Sequence, residues 1–163
     1  MGHSRVEGLV WQWDHIWEKE EWIVPVSTVL EGIPAAAAAW TPQGGGNSIW
    51  ETLLHMNFHN ERRLLRLNGA QLGPPAISNE KTFQGSIDPE DEAEWKALVN
   101  RAKRVASELR DALDRLTEEQ LDAPYAKTEI TLGQELLNWI MHDVYHAGQI
   151  VLIRKQLGVW RKS

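Results

Sequence analysis

Two histidines stand four residues apart in LGQELLNWIMHDVYHAGQIVLIRKQL, residues 132–157. Apolar residues recur through this run at helical spacing, and at about 100° per residue a helix projects His142 and His146 from one face. Two imidazoles placed in this way can share one divalent ion, each nitrogen at roughly 2.0–2.1 Å in the case of zinc. Glu135, Trp139, Gln149 and Ile153 fall on the same side of the helix. Leu136, Leu137, Ile140, Val144, Ala147 and Val151 cover the opposite sector, so the helix is expected to be buried on several sides. Buried imidazoles need partners, and a metal ion shared with a third histidine from another helix supplies them.

Competing histidine chemistries require residues that this chain lacks. A helical metalloprotease motif has glutamate directly after its first histidine, whereas Asp143 follows His142. The chain has no cysteine, so disulfides and thiolate ligands are excluded and any reactive sulfur must arrive on a ligand. Carboxylate-bridged di-iron chemistry needs a Glu-x-x-His unit on each of two helices, and that pattern is absent. Glu135 lies about 10 Å along the helix from His142, too far to ligate the same ion. Glu135, Asp143 and Tyr145 are the nearest candidate acids and bases, and each has a supporting or outward reading, so the catalytic residues are unassigned.

Four long helices are expected to position the pair. The first runs from Glu7 to about Glu31, with Pro25 either kinking it or ending it early. Gly32 to Gly46 is a connection with at most one helical turn in its alanine run. The second helix starts at Ser48, capped reciprocally with Glu51, and runs to Asn68 and Gly69. It carries two adjoining apolar stripes, one for the bundle and one for a partner subunit, and its periodicity alone does not choose between His55 and His59 as a third ligand. Residues 71–87 form a crossover long enough to make helices two and three parallel. The third helix is capped by Asp88 with Pro89 at its first position and continues through Leu116. A short turn at 117–121 precedes the fourth, Leu132 to Leu157, whose start is marked by Thr131 and Gln134 and whose end is marked by Gly158.

Composition bounds the rest. The 163 residues suit one domain, 1–163, folded as an all-α four-helix bundle in up-down-down-up order. A net charge of −6 argues against nucleic acid as a partner, and Arg62, Arg63 and Arg66 read as an ordinary solvated helix face. No run is long and apolar enough for a membrane span, and GLVWQW is broken by Asp14 before it resembles a signal segment, so cytoplasmic residence is expected. Most of the nine tryptophans are expected in the core or at the interface of a homodimer.

The segments NSIWETLLHMNFHNERRLLRLNG and MHDVYHAGQIVLIRKQLGVW resemble the two signature stretches of the DinB/YfiT-like superfamily of metal-binding four-helix bundles. The resemblance rests on the capped Ser48-Ile49-Trp50-Glu51 start, His55 seven residues after Ser48, and His142 and His146 followed by Gly148, Gln149 and Ile150. It implies that His55, His142 and His146 bind a divalent metal, zinc or nickel, with solvent completing the shell. His59 stands where the related pattern more often has an aromatic residue, which leaves it as a supporting or pocket residue beside Tyr145 and Gln149. Relatives include transferases and isomerases that use low-molecular-weight thiols. The resemblance therefore implies a metal-dependent enzyme, a thiol-dependent transferase or hydrolase-like protein, acting on a small molecule. The alternative is a stress protein that binds a metal or small molecule without turnover.

Overall fold

The computed structural model describes residues 4–161, so both ends of the expected 1–163 domain lie outside the described residues. The chain is all-α. Its helices are α1 (Arg5–Trp17), α2 (Val26–Val29), α3 (Ala35–Ala38), α4 (Ile49–Leu67), α5 (Glu92–Asp114), α6 (Glu118–Asp122) and α7 (Leu132–Gln156), with a 3-10 turn at Glu80–Phe83. No strand forms among the described residues; an isolated bridge pairs Pro124 with Thr131.

Side-chain contacts give the direction of each long helix. Trp13 donates its indole N–H to Ala106 O at 2.9 Å, and Arg5, at the other end of α1, binds Glu118 and Asp122 beyond the end of α5. These pairings make α1 and α5 antiparallel. Trp50 packs on Trp95, Asn57 donates to Leu98 O, and Glu61 pairs with Arg101, so α4 and α5 run the same way across the long connection. His55 meets His146 while Arg63 lies over Trp139, which makes α4 and α7 antiparallel. The order is up-down-down-up.

Three capping boxes set the starts of α1, α4 and α7. At α4, Ser48 accepts from Glu51 N–H at 3.1 Å and Glu51 accepts from Ser48 N–H at 2.7 Å. Ser48 is almost wholly buried, so water cannot replace the lost cap. Ser48→Ala is expected to cost about 1–2 kcal/mol, read as a lower urea midpoint with an unchanged slope.

Two helix boundaries differ from expectation. The first helix stops at Trp17 rather than near Glu31, and Glu18 and Lys19 both donate backbone N–H groups to Asp14 O. Pro25 holds an extended conformation, φ −68 and ψ 153, and starts the separate turn α2. The break leaves Trp22 94% exposed but lets Val26 and Val29 bury fully, and Arg154 of α7 donates to Val29 O at 2.6 Å. The third helix starts at Glu92 with Asp91 as its cap; Asp88 instead closes a turn onto Glu90 N–H. That start aims Glu92 at the first N–H of α3, with Ala35 N–H donating to Glu92 Oε1 at 2.7 Å.

Trp13, Trp17, Trp50, Trp95 and Trp139 are core residues, and three of their N–H groups end on acceptors across the bundle: Ala106 O, Asp143 Oδ2 and Ile33 O. Trp139 donates to Glu135 Oε1, so four of the five core indoles bury a large ring and also find a polar partner. Among the described residues no helix is long and apolar enough to cross a membrane.

Candidate metal centre

The middle of α7 faces the first half of α4, and three imidazoles meet between them. His55, His142 and His146 each present one ring nitrogen, and these nitrogens all lie within 4.8 Å of one another. His55 and His146 are buried, and His142 keeps 24% of its side-chain surface. Helix geometry brings the pair together, since positions four apart on α7 stack along one face. Antiparallel packing of α4 then delivers His55 from the other side.

The other nitrogen of each ring is engaged. His142 Nδ1 lies 3.1 Å from Asp143 Oδ1, and His146 Nδ1 lies 2.7 Å from Gln149 Oε1. His55 Nδ1 lies 2.6 Å from Thr82 Oγ1, whose hydroxyl is directed at the acceptor Asn79 O. Each partner atom can accept a hydrogen bond, so a proton on each Nδ1 leaves the three Nε2 atoms available as ligands. His55 Nε2 and His142 Nε2 face each other at 2.9 Å. In that tautomer the facing lone pairs repel, and a cation bound by both relieves the repulsion. The donor set, three imidazoles, could hold a metal ion.

A buried polar network stands behind the histidines. Asp143 is fully buried and accepts from Trp17 Nε1 at 3.1 Å, Asn60 Nδ2 at 2.9 Å, Arg63 at 3.0 Å and His142 Nδ1. Burial pushes its carboxyl upward, but the hydrogen bond from His142, the charge of Arg63 and the Asn60 amide together hold it below the ordinary carboxylate range. An ionised Asp143 fixes the orientation of the His142 ring.

Burial, followed by the charges of His59, His146 and His142, lowers His55 to about 3. Burial and the charges of His142 and Arg63 lower His59 to about 4, and burial lowers His146 as well. In the unfolded chain these groups titrate near 6.5. Between those values the unfolded chain binds protons that the metal-free fold rejects, so stability falls as pH drops from about 6.5 toward 4. Urea midpoints of chelated protein across that range should decline with acid, and His55→Gln should flatten the decline.

The pocket over the cluster measures about 480 Å³ and is lined by His59, Asn47, Asn79, Phe83, Tyr145 and Gln149 along with the three histidines. His59 sits beside the cluster, its ring 4.6 Å from His55 and 5.3 Å from His142, and its buried Nε2 has no hydrogen-bond partner among the described residues. Tyr145 lies at the mouth, 65% exposed, with its ring against His146. Glu135 stays apart and accepts from Trp139 Nε1 and Asn138.

Several supporting residues escaped sequence reasoning. Phe83 stacks on His55 with ring centres 3.9 Å apart and planes within 9°, and with Thr82 it comes from the crossover, where no periodicity marks it. Arg63 is a correction: it is buried against Asp143 and does not belong to a solvated basic face. The missed signal was spacing, since His55, His59 and Arg63 at intervals of four share one side of α4. Arg62 donates to Gly73 O and lies over Phe58, and Arg66 lies over Tyr125.

Fold and site together define an all-α bundle with a buried three-histidine cluster able to hold a metal ion between two antiparallel helices. The chain belongs to the DinB superfamily, whose profile matches residues 26–150, more than half its length. That span includes His55, His142 and His146 and begins after α1. No curated protein and no solved structure shows significant similarity to the chain.

Proposed function

We propose that this protein is a metal-dependent enzyme of the DinB superfamily that acts on a small molecule, as a thiol-dependent transferase or a hydrolase-like catalyst. The observation that carries this reading is the convergence of His55, His142 and His146, one ring nitrogen of each lying within 4.8 Å of the others, under an open pocket. His55, His142 and His146 would hold the ion, zinc or nickel. As neutral ligands they leave it its full charge, so that when bound it supplies Lewis acidity toward a water or thiol in the pocket. Thr82, Asp143 and Gln149 keep the rings in register, and Phe83 walls one side of His55. The absence of cysteine suits a low-molecular-weight thiol supplied from outside.

The whole chain is proposed to act as one domain, because α1 precedes the matched residues yet seals the bundle through Trp13 and Trp17. A homodimer is proposed as well. Its motive is now the exposed apolar stripe Leu137, Met141, Tyr145 and Leu152 on α7, since five of the tryptophans, Trp13, Trp17, Trp50, Trp95 and Trp139, are internal. Light scattering that gives a monomer mass would remove that clause.

A second reading, a binding protein without turnover, is favoured by one observation: the lining of the metal pocket contains no carboxylate and no lysine or arginine. One experiment separates the two. Protein purified without an affinity tag is loaded with zinc or nickel and incubated with a thiol panel and a reactive electrophile. Turnover that a chelator abolishes and metal restores supports the enzyme. Stoichiometric metal without turnover across the panel favours the binding protein.

A further inference from the structure

A second and larger cavity, about 880 Å³, lies toward the opposite end of α4 from the histidines, where α4 runs out into the crossover beside α6 and the turn before α7. Arg66 is eleven residues beyond His55, about 16 Å along the helix axis. The volume is within the range of small-molecule sites, and the lining combines apolar side chains with polar ones. Leu67, Leu116, Leu132 and Trp139 form apolar wall, while Arg66 and Tyr125 bring the polar chemistry.

Arg66 is the informative residue. Its guanidinium carbon stands 5.4 Å from the centre of the Tyr125 ring, and among the described residues no carboxylate or carbonyl binds its N–H groups. The neighbouring arginines are committed elsewhere, Arg62 to Gly73 O and Arg63 to Asp143. Arg66 alone keeps its planar donor array free while its ring contact holds it at the cavity wall. The lining includes Lys127 at the exposed rim and no aspartate or glutamate. A half-buried, oriented and unneutralised guanidinium above apolar wall matches one ligand chemistry, an anionic head on an apolar body.

The wall is built in advance. Tyr125 N–H donates to Ile130 O at 2.9 Å, Leu132 N–H donates to Ala123 O at 2.9 Å, and Thr128 N–H returns to Tyr125 O. Within this turn Ala126 holds φ 53, a left-handed conformation that a residue with a Cβ adopts at a cost.

We propose that this cavity is a binding site for a small organic carboxylate with an apolar or aromatic body, its carboxylate paired with Arg66 and its body laid against Trp139, Leu116 and Leu132. The proposal is independent of metal at the histidines. The probes are 1-naphthoate and its uncharged counterpart 1-naphthamide, titrated calorimetrically into the full chain. The carboxylate should bind about tenfold more tightly than the amide or better, as expected for a charge-assisted hydrogen bond. Arg66→Met, which keeps an apolar stem, should erase that preference. Ala123→Trp, placed at an exposed position on the lining, should weaken both probes and keeps the test valid if Arg66→Met folds poorly. His142→Ala should leave naphthoate binding unchanged. The proposal is overturned if naphthoate fails to saturate at millimolar concentration, if the preference survives in Arg66→Met, or if Ala123→Trp has no effect. Loss of binding in His142→Ala also overturns it, because that result puts the carboxylate on the metal.

Discussion

His142→Ala and His146→Ala are each expected to release most of the bound metal from protein loaded with one equivalent of zinc. Loss of a supporting residue around a metal site weakens affinity by about 10–100-fold. Removing one of three ligands should exceed that, so the deficit is expected beyond about a hundredfold in competition against a chromophoric chelator. His55→Ala should behave in the same way, although Phe83 and Thr82 lose their packing partner and some stability goes with it. His59→Ala is the control within the cluster. Its nitrogens fall outside the group that lies within 4.8 Å, so metal content should stay near that of the unaltered chain. Near-normal metal content in both His142→Ala and His146→Ala would refute the three-histidine site.

The largest expected effect on stability comes from Arg63→Met. Arg63 is 9% exposed at its side chain and Asp143 is 0% exposed, and they meet at 3.0 Å. Replacing the arginine leaves a buried carboxylate with only neutral donors, Trp17, Asn60 and His142. Breaking a buried pair from one side costs about 3–5 kcal/mol, because the remaining charge has lost its compensation. Asp143→Asn in the same chain removes that charge, so the double variant should recover part of the loss in a urea double-mutant cycle. A change below about 1 kcal/mol in Arg63→Met, against the 3–5 expected for a buried pair, would show that Asp143 takes its compensation from elsewhere. Asp143→Asn alone should also lower metal affinity by about 10–100-fold through His142.

The starts of α4 and α7 were legible in the sequence because a capping box is a local device, decided by residues three apart. The shared face of His142 and His146 followed from helical pitch in the same way. Local periodicity also gave the long amphipathic helices, and the crossover length gave the parallel pairing of α4 and α5. Pro25 marked an interruption of the first helix but not its place: α1 already ends at Trp17, although Trp22 keeps the apolar rhythm, and only the docking of Val26 and Val29 beneath Arg154 shows why the chain turns. Between Asp88 and Asp91, both competent caps, the choice coincides with a long-range bond from Glu92 to Ala35 N–H. Periodicity left His55 and His59 open; family resemblance chose His55, and packing of α4 on α7 brings its nitrogen within reach of the other two. Thr82 and Phe83 meet His55 from 27 and 28 residues away along the chain, through a segment without periodicity. Spacing along one helix determines which side chains share a face. Which faces meet, and which buried charges neutralise each other, depends on contacts between segments far apart in sequence, and only the tertiary structure decides those.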